Sequence, residues 1–107
     1  RKLSLQDFDY YEIHEAFAAV VLSTLHVWES ADYCKERLGL PDALGKIDRK
    51  NLNVLGSSIA AGHPFAATGG RVVGTLAKLL SEKQGSGRGL ISICAAGGQG
   101  VTAILEK

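Results

Sequence analysis

The chain has 107 residues, of which 46% are hydrophobic and 21% are charged, as in an ordinary folded domain with a single core. Its 12 Lys and Arg against 11 Asp and Glu give a net charge of +1, which excludes a strong field for nucleic acid or an anionic membrane. No apolar run approaches the ~20 residues of a membrane-spanning helix. The first residues also lack the apolar core of a signal peptide.

The two cysteines, Cys34 and Cys94, lie far apart in the sequence. Two cysteines could form one disulfide, but a chain with this apolar content does not need a disulfide for stability. Nothing in the sequence indicates secretion, so we expect the protein inside a cell or an organelle.

The first half of the chain predicts one strand and two helices. Residues 9–13 are aromatic and β-branched, which favours a strand. Helical spacing follows from Glu15, and it places one group of residues on a single face: Phe17, Val20, Val21, Thr24 and Leu25. A second helix, on the surface, is predicted over residues 30–38, with Cys34 within it and Gly39 at its end. A polar surface loop follows.

The second half predicts a long helix and a pair of strands. Residues 66–83 have helical spacing with an apolar stripe of Val72, Val73, Leu76, Leu79 and Leu80. Residues 89–94 are apolar at both odd and even positions, which is typical of a strand buried on both faces. A glycine-rich turn over residues 95–100 leads to a last strand over 101–105. This alternation indicates an α/β layered fold, with helices packed on a mixed sheet.

The segment around His63 is unusually rich in small residues, so a large ligand could approach its backbone. Pro64 suits the first position of a helix, where its missing N–H costs nothing. His63 would then lie at the helix entrance, where the partial positive charge favours the neutral ring that a base requires. The alternative is a histidine that only caps a turn.

Cys94 is predicted to leave a buried strand and enter the small-residue turn. The carboxyl ends of strands are where α/β sheets place their sites, and the N–H groups of a turn can converge on a developing oxyanion. A thiol beside an imidazole could exchange protons at neutral pH. The alternative is a small apolar core residue, as most free cysteines are.

His14 is predicted at the end of the first strand, where its ring could hold a water or donate a hydrogen bond. Glu15 would follow in the first helical turn, where the helix dipole by itself stabilises a carboxylate. Neither residue indicates a function by itself.

Together these segments resemble the thiolase family in order and spacing, over about residues 7–105. Residues 14–18 are similar to the family's Asn-Glu-Ala-Phe-Ala segment, in a form that begins with histidine. Residues 53–69 resemble the family's histidine motif, and residues 94–100 resemble its cysteine and glycine-rich turn. The resemblance implies the layered thiolase fold. We expect residues 1–107 to be the thiolase C-terminal domain, slightly truncated and without the N-terminal half that carries the nucleophilic cysteine.

The resemblance also implies roles for individual residues. His63 would activate the nucleophile and help bind the thioester oxygen. Cys94 would protonate the departing acetyl-CoA enolate and then deprotonate the incoming CoA thiol. His14 would stand where many members have an asparagine, which anchors a water in the enolate's oxyanion hole. Backbone N–H groups near Ala96 and Gly97 would help to form the hole for the acylation step.

Ser58 and Phe65 are two further candidates for substrate binding. Ser58, beside Ser57, stands where glycine-rich residues are expected, and it could add a hydroxyl donor to the groove. Phe65, with His14 and the segment from Cys94, makes the chain most similar to the degradative branch, which includes the thiolase subunit of fatty-acid oxidation complexes.

The implied function is that of a 3-ketoacyl-CoA thiolase in fatty-acid β-oxidation. This acyltransferase cleaves 3-ketoacyl-CoA with CoA to acetyl-CoA and a shortened acyl-CoA. Coenzyme A is a substrate, and no metal or redox cofactor is expected. The resemblance implies a homodimer or homotetramer, with a hydratase–dehydrogenase subunit as a further partner, in the bacterial cytoplasm or the mitochondrial matrix. The segment alone should be inactive.

Three alternatives stay open. They are a biosynthetic acetoacetyl-CoA thiolase that runs in the Claisen direction, a non-catalytic thiolase-like protein that binds acyl-CoA or a lipid, and a stand-alone interaction module. The presence of both His63 and Cys94 argues against a binding protein, which has no need of paired acid–base groups.

Overall fold

A mixed three-stranded sheet organises the part of the chain that the computed structural model describes, residues 2–107. Strand β1 (Tyr10–Ile13) lies parallel to β2 (Arg88–Ala95). Strand β2 forms an antiparallel hairpin with β3 (Gln99–Glu106), so that β2 is central. Because β1 and β2 are parallel, their carboxyl ends meet at the same edge of the sheet.

Helical segments connect the first two strands. They are α1 (Ala18–Glu29), α2 (Ala31–Leu38), a 3₁₀ turn (Arg49–Asn51), α3 (Ser58–Ala61) and α4 (Thr68–Glu82). Helix α2 begins after Ser30, whose hydroxyl accepts a hydrogen bond from the N–H of Tyr33 at 3.2 Å. It ends at Gly39, which has the left-handed φ of 65° that closes many helices. Within the described residues, no helix is long and apolar enough to cross a membrane.

The pleat of β1 divides the core into two clusters, one on each face of the sheet. Tyr11 and Ile13 pack against α1 with a first group of buried residues: Leu5, Phe8, Val21, Leu25 and Ile47. Tyr10 packs on the other face, against a second group from α4 and β2: Val72, Leu76, Leu80 and Ile91. Helices therefore cover both faces of a mixed sheet, which confirms the predicted layered α/β fold.

Gly89 allows α4 to approach the sheet closely. A β-carbon at this position would overlap the side chain of Leu76, which is fully buried. The glycine thus leaves room for Leu76 on β2, as a glycine in a strand does where another element comes near. This contact helps to set the height of α4 above the sheet.

Several local predictions were wrong, because packing between elements decided which side chains are exposed. Phe17 and Val73 were expected on buried faces, but they are 72% and 42% exposed. The second helix is a surface helix, as predicted, and Cys34 is its buried residue, with its Sγ donating to the carbonyl of Val27 at 3.4 Å. Residues 89–94 pack on both faces only near their start, where Leu90 contacts the first cluster and Ile91 belongs to the second, and burial falls off toward the end of β2.

Candidate active site

The carboxyl ends of β1 and β2 and the start of α4 surround an open cavity of about 710 Å³. Five of the predicted site residues line it: His14, His63, Phe65, Cys94 and Ala96. Most of the remaining wall is apolar, with Ala16, Phe17, Val20, Ala66 and Ile93 among its residues. An apolar wall with a few converging polar groups is typical of ligand sites. Ser58 and Gly97, the other two predicted residues, lie outside this lining.

His14 is the buried histidine of the cavity, with 2% of its surface exposed. Its Nδ1 lies 2.6 Å from Oγ of Ser58, at the start of α3. Burial lowers the pKa of His14 most, and the neighbouring His63 and Arg71 lower that pKa further. Glu15 acts in the opposite direction. The net effect is a lowered pKa, so the neutral ring is favoured.

His63 lies on the exposed rim of the cavity, before α4 rather than at its entrance. The helix begins at Thr68, with Ala67 as its N-cap, so the prediction that Pro64 is the first helical residue was wrong. Pro64 instead closes a turn, because its carbonyl accepts from the N–H groups of Ala67 and Thr68 at 3.1 and 3.2 Å.

The hydroxyl of Thr68 fixes the tautomer of His63. It donates to the Pro64 carbonyl at 3.2 Å and lies 2.7 Å from Nδ1 of His63. A hydroxyl has one proton, so with that proton on the carbonyl bond, Nδ1 of His63 is the donor. The lone pair of the neutral ring then lies on Nε2, where it can accept a proton.

The two histidines lie side by side. The centroids of the His14 and His63 rings are 4.3 Å apart, and the rings are tilted by 48°. Phe65 meets His63 edge-on at 5.2 Å on the outer side. The closeness of His63 is one of the causes that lower the pKa of His14. Among the described residues, no group of three or more His, Cys, Asp or Glu side chains is placed to hold a metal ion.

Cys94 lies near the end of β2 as an exposed free thiol. The turn from β2 to β3 follows directly, as predicted, and Gly97 and Gly98 have φ values of 82° and 72°. These left-handed conformations are those that glycine adopts without strain. The turn places Ala96 on the cavity wall and Gly97 outside it.

Glu15 lies before α1, so the prediction that it occupies the first helical turn was wrong. Its carboxylate accepts from the side-chain amide of Asn53 and from the backbone N–H of Ile59, both at 3.0 Å. Asn53 also exchanges hydrogen bonds with the backbone of Ile13, at 2.8 and 2.9 Å. Glu15 and Asn53 thus fasten α3, and with it Ser58, to the end of β1.

Ser58 and Arg71 lie behind His14 rather than in the cavity. Ser58 is outside the cavity lining, and its hydroxyl contacts Nδ1 of His14 at 2.6 Å. Nη2 of Arg71 donates to the Oγ atoms of Ser57 and Ser58, each at 3.2 Å. Arg71 was not predicted, although it precedes Val72 of the buried α4 stripe. A charged residue next to this buried stripe was the sequence feature that could have indicated a partly buried cation.

Glu12 is a second buried charged residue that was not predicted from the sequence. It lies two residues before His14 and therefore on the same face of β1. Its side chain is fully buried, and within residues 2–107 neither of its carboxylate oxygens has a hydrogen-bond partner. Burial raises the pKa of Glu12 to about 7, although the nearby Arg71 acts to lower it. Glu12 is thus a titratable group beneath the cavity.

The fold and the cavity define a layered α/β domain that is equipped for proton transfer, with two imidazoles and a thiol around one apolar space. The chain belongs to the thiolase family: residues 1–107 match the family model described as "Thiolase, C-terminal domain". This finding agrees with the resemblance of the three sequence motifs.

Named relatives agree with the family. The chain is 46% identical over 104 residues to a 3-ketoacyl-CoA thiolase of Shewanella baltica, and 49% identical over 105 residues to one of Aliivibrio fischeri. Each comparison covers 97% of this chain, which spans only 24% and 23% of those relatives. The structure of the peroxisomal 3-ketoacyl-CoA thiolase of Saccharomyces cerevisiae, a five-layered α-β-α-β-α protein, matches with a TM-score of 0.69 and 37% identity. That match covers 98% of this chain and 25% of the yeast chain.

Proposed function

We propose that this chain is the C-terminal part of a 3-ketoacyl-CoA thiolase, which works together with an N-terminal half that carries the nucleophilic cysteine. The observation that carries the proposal is the meeting of His14, His63 and Cys94 around one apolar cavity. Relatives with the name 3-ketoacyl-CoA thiolase support the choice of substrate.

His63 is the base that activates the nucleophile. Its Nε2 carries the lone pair, because Nδ1 donates to Thr68. The nucleophilic thiol gives its proton to this nitrogen, and the thiolate attacks the 3-keto carbon of the substrate. The bond between carbons 2 and 3 then breaks, which leaves the acyl group on the nucleophile and acetyl-CoA as its enolate.

Cys94 is the acid and then the base of the reaction. Its thiol gives a proton to carbon 2 of the enolate and so completes acetyl-CoA. The resulting thiolate takes a proton from the incoming CoA thiol, which attacks the acyl thioester and releases the nucleophile. A thiol suits both steps because its two forms are accessible near neutral pH. The exposed position of Cys94 leaves its Sγ open to substrate.

Three further groups bind the reacting oxygens and the acyl chain. His14 donates a hydrogen bond toward the enolate oxygen, directly or through a water. The backbone N–H groups near Ala96 and Gly97 contribute to the hole for the acylation step. Phe65 and the apolar wall provide a surface for the acyl chain. Ser58 acts only through His14.

The whole enzyme is proposed to work in fatty-acid β-oxidation, as a homodimer or homotetramer, without a metal or redox cofactor. A hydratase–dehydrogenase subunit is the further partner that we propose. The bacterial relatives favour the bacterial cytoplasm as the compartment.

Thiolysis assays with 3-ketoacyl-CoA substrates of increasing chain length test the proposal in the full-length protein that carries this chain. We expect the Cys94→Ala and His63→Ala variants to lose roughly 10²- to 10⁴-fold in kcat, the range for general acid–base groups. Cys34→Ala is the matched control, because Cys34 is buried in α2 and far from the cavity lining, and it should retain activity. A parent protein that binds acyl-CoA but turns nothing over would refute the catalytic function in favour of a binding protein. Activity confined to acetoacetyl-CoA would indicate the biosynthetic alternative.

A further inference from the structure

Each of the two cavity histidines has a hydroxyl group at its Nδ1. His63 is paired with Thr68 at 2.7 Å, and His14 is paired with Ser58 at 2.6 Å. The two hydroxyls differ in their second hydrogen-bond partner. The Thr68 hydroxyl donates a hydrogen bond to a backbone carbonyl, whereas the Ser58 hydroxyl accepts one from Arg71, each at 3.2 Å.

Counting protons at Ser58 assigns the tautomer of His14. A guanidinium group has only donors, so Oγ of Ser58 must be the acceptor in its contact with Arg71. Oγ has a second lone pair, but a second donor at Nδ1 of His14 would leave the Ser58 hydroxyl proton without an acceptor, since within residues 2–107 this hydroxyl contacts only Arg71 and His14. The hydroxyl proton therefore goes to Nδ1 of His14. In a neutral imidazole that accepts at Nδ1, the proton lies on Nε2.

We propose that Arg71 is a positioning residue that directs the Ser58 hydroxyl proton to Nδ1 of His14, so that His14 presents an N–H donor at Nε2 to the cavity. The two adjacent histidines then have opposite roles. His63 has a lone pair at Nε2 and accepts a proton, and His14 has a proton at Nε2 and donates a hydrogen bond.

The surroundings of Arg71 suit this role. Nη2 of Arg71 lies within hydrogen-bond distance of Oγ of Ser58 at the start of α3, so its charge is close to the Ser58 hydroxyl. The buried Glu12 below it is attracted to the same cation. The charge of Arg71 also opposes protonation of His14, since an imidazolium beside a guanidinium is repelled. His63 acts in the same direction, and Glu15 opposes both.

This inference rests on the proposed function for its catalytic consequence but not for its structural content. In a thiolase, a hydrogen-bond donor at Nε2 of His14 would stabilise the oxyanion of the enolate. Donors of this kind are effective because they are oriented before the charge develops. A His14 in the other tautomer would present a lone pair to a negative oxygen and repel it.

Nitrogen-15 NMR of the histidine side chains in the full-length protein measures the tautomer directly. His14→Gln and His63→Gln variants assign the two signals. We expect a protonated Nε2 and an unprotonated Nδ1 for His14, and the reverse for His63. A protonated Nδ1 on His14 in the unmodified protein would overturn the inference.

Alanine variants of Ser58 and Ser57 distinguish a positioning role from a packing role. Ser58→Ala should mix the tautomers of His14 and lower kcat about 10- to 100-fold with little change in KM, as for the loss of an oriented donor. Ser57→Ala is the matched control, because Ser57 also accepts from Arg71 at 3.2 Å but its hydroxyl donates to the carbonyl of Ile13. It should leave the tautomer and kcat unchanged. Equal losses in both variants would indicate a packing role only.

Substitution of Arg71 tests the cation itself. Arg71→Met should mix the His14 tautomers and move the acid limb of the kcat profile to higher pH, because the cation that opposes imidazolium is gone. Arg71→Lys keeps a charged donor and should restore both properties in part. If Arg71→Met does not fold, the pair of serine variants still decides the inference. A thiolase with the wrong His14 tautomer would refute only this inference, and an inactive protein with the expected tautomers would refute only the proposed function.

Discussion

The buried wall of the cavity and its exposed rim differ in the burial of their side chains. On the wall, His14 is 2% exposed and is connected through Ser58 to Arg71 by side-chain hydrogen bonds. On the rim, Phe65 is 87% exposed, and Cys94 is an exposed thiol near the end of β2. Side chains of this domain therefore hold the wall in place, whereas the side chains of the rim are exposed. Stability should therefore depend on the wall and the core beneath it, and activity on both regions.

The largest effect on stability should come from the core that supports the wall. Leu76 is fully buried between α4 and β2, so Leu76→Ala should lower the free energy of unfolding by about 2–5 kcal/mol. The exposed Phe65 makes Phe65→Ala the contrasting variant, with a change within about 0.5 kcal/mol. Denaturant unfolding followed by circular dichroism measures both. Similar losses in the two variants would contradict the division between wall and rim.

A smaller effect, which depends on pH, should come from Glu12. Its pKa in the folded protein is about 7, above the ordinary 4.5, so the folded state binds the proton more tightly than the unfolded state. The stability that comes from the neutral carboxyl is therefore complete below pH 4.5 and is lost as the pH rises through about 7. Glu12→Gln removes this titration.

The measurement for Glu12 is a difference between two unfolding curves at each pH. The stability of Glu12→Gln relative to the parent should rise between pH 4.5 and pH 8 by an amount on the order of 3 kcal/mol. Other titrating groups cancel in this difference. A relative stability that is constant or falls over the same range would show that Glu12 is charged and compensated in the folded protein.

The smallest effect on stability should come from a residue of the rim. Ala66 lines the cavity with a φ of 66°, a left-handed conformation that is strained for alanine. Glycine removes this strain but has more freedom to lose on folding. Ala66→Gly should therefore raise stability by no more than about 1 kcal/mol, seen as a small increase in Tm. A lower Tm would show that Ala66 makes contacts that outweigh its backbone strain.

Periodicity predicted the elements of this fold because each helix and strand has an apolar pattern of its own. The long helix predicted over residues 66–83 is α4, Thr68–Glu82, and its stripe of Val72, Leu76 and Leu80 is buried. The exposure of Phe17 and Val73 could not be predicted in this way. Their exposure depends on which other elements pack nearby, and local spacing carries no information about that.

The candidate site was predictable as a set of residues but not as a set of contacts. Motif order singled out His14, His63 and Cys94, which the fold brings to one cavity. The catalytic roles of these residues stay predictions until variants are measured. Their partners were not predicted, because Thr68, Ser58 and Arg71 meet the rings only once α3 and α4 are packed at the end of β1.

By itself, the sequence determined the family, the layered α/β class and the small-residue turns, since motifs, periodicity and glycine positions are local properties of the chain. Only the tertiary structure decided how His14 and His63 are paired with hydroxyls, and which nitrogen of each ring faces the cavity. The physical reason is that a tautomer depends on where a single proton lies. That position is decided by donors and acceptors from separate elements, which become neighbours only when the chain folds.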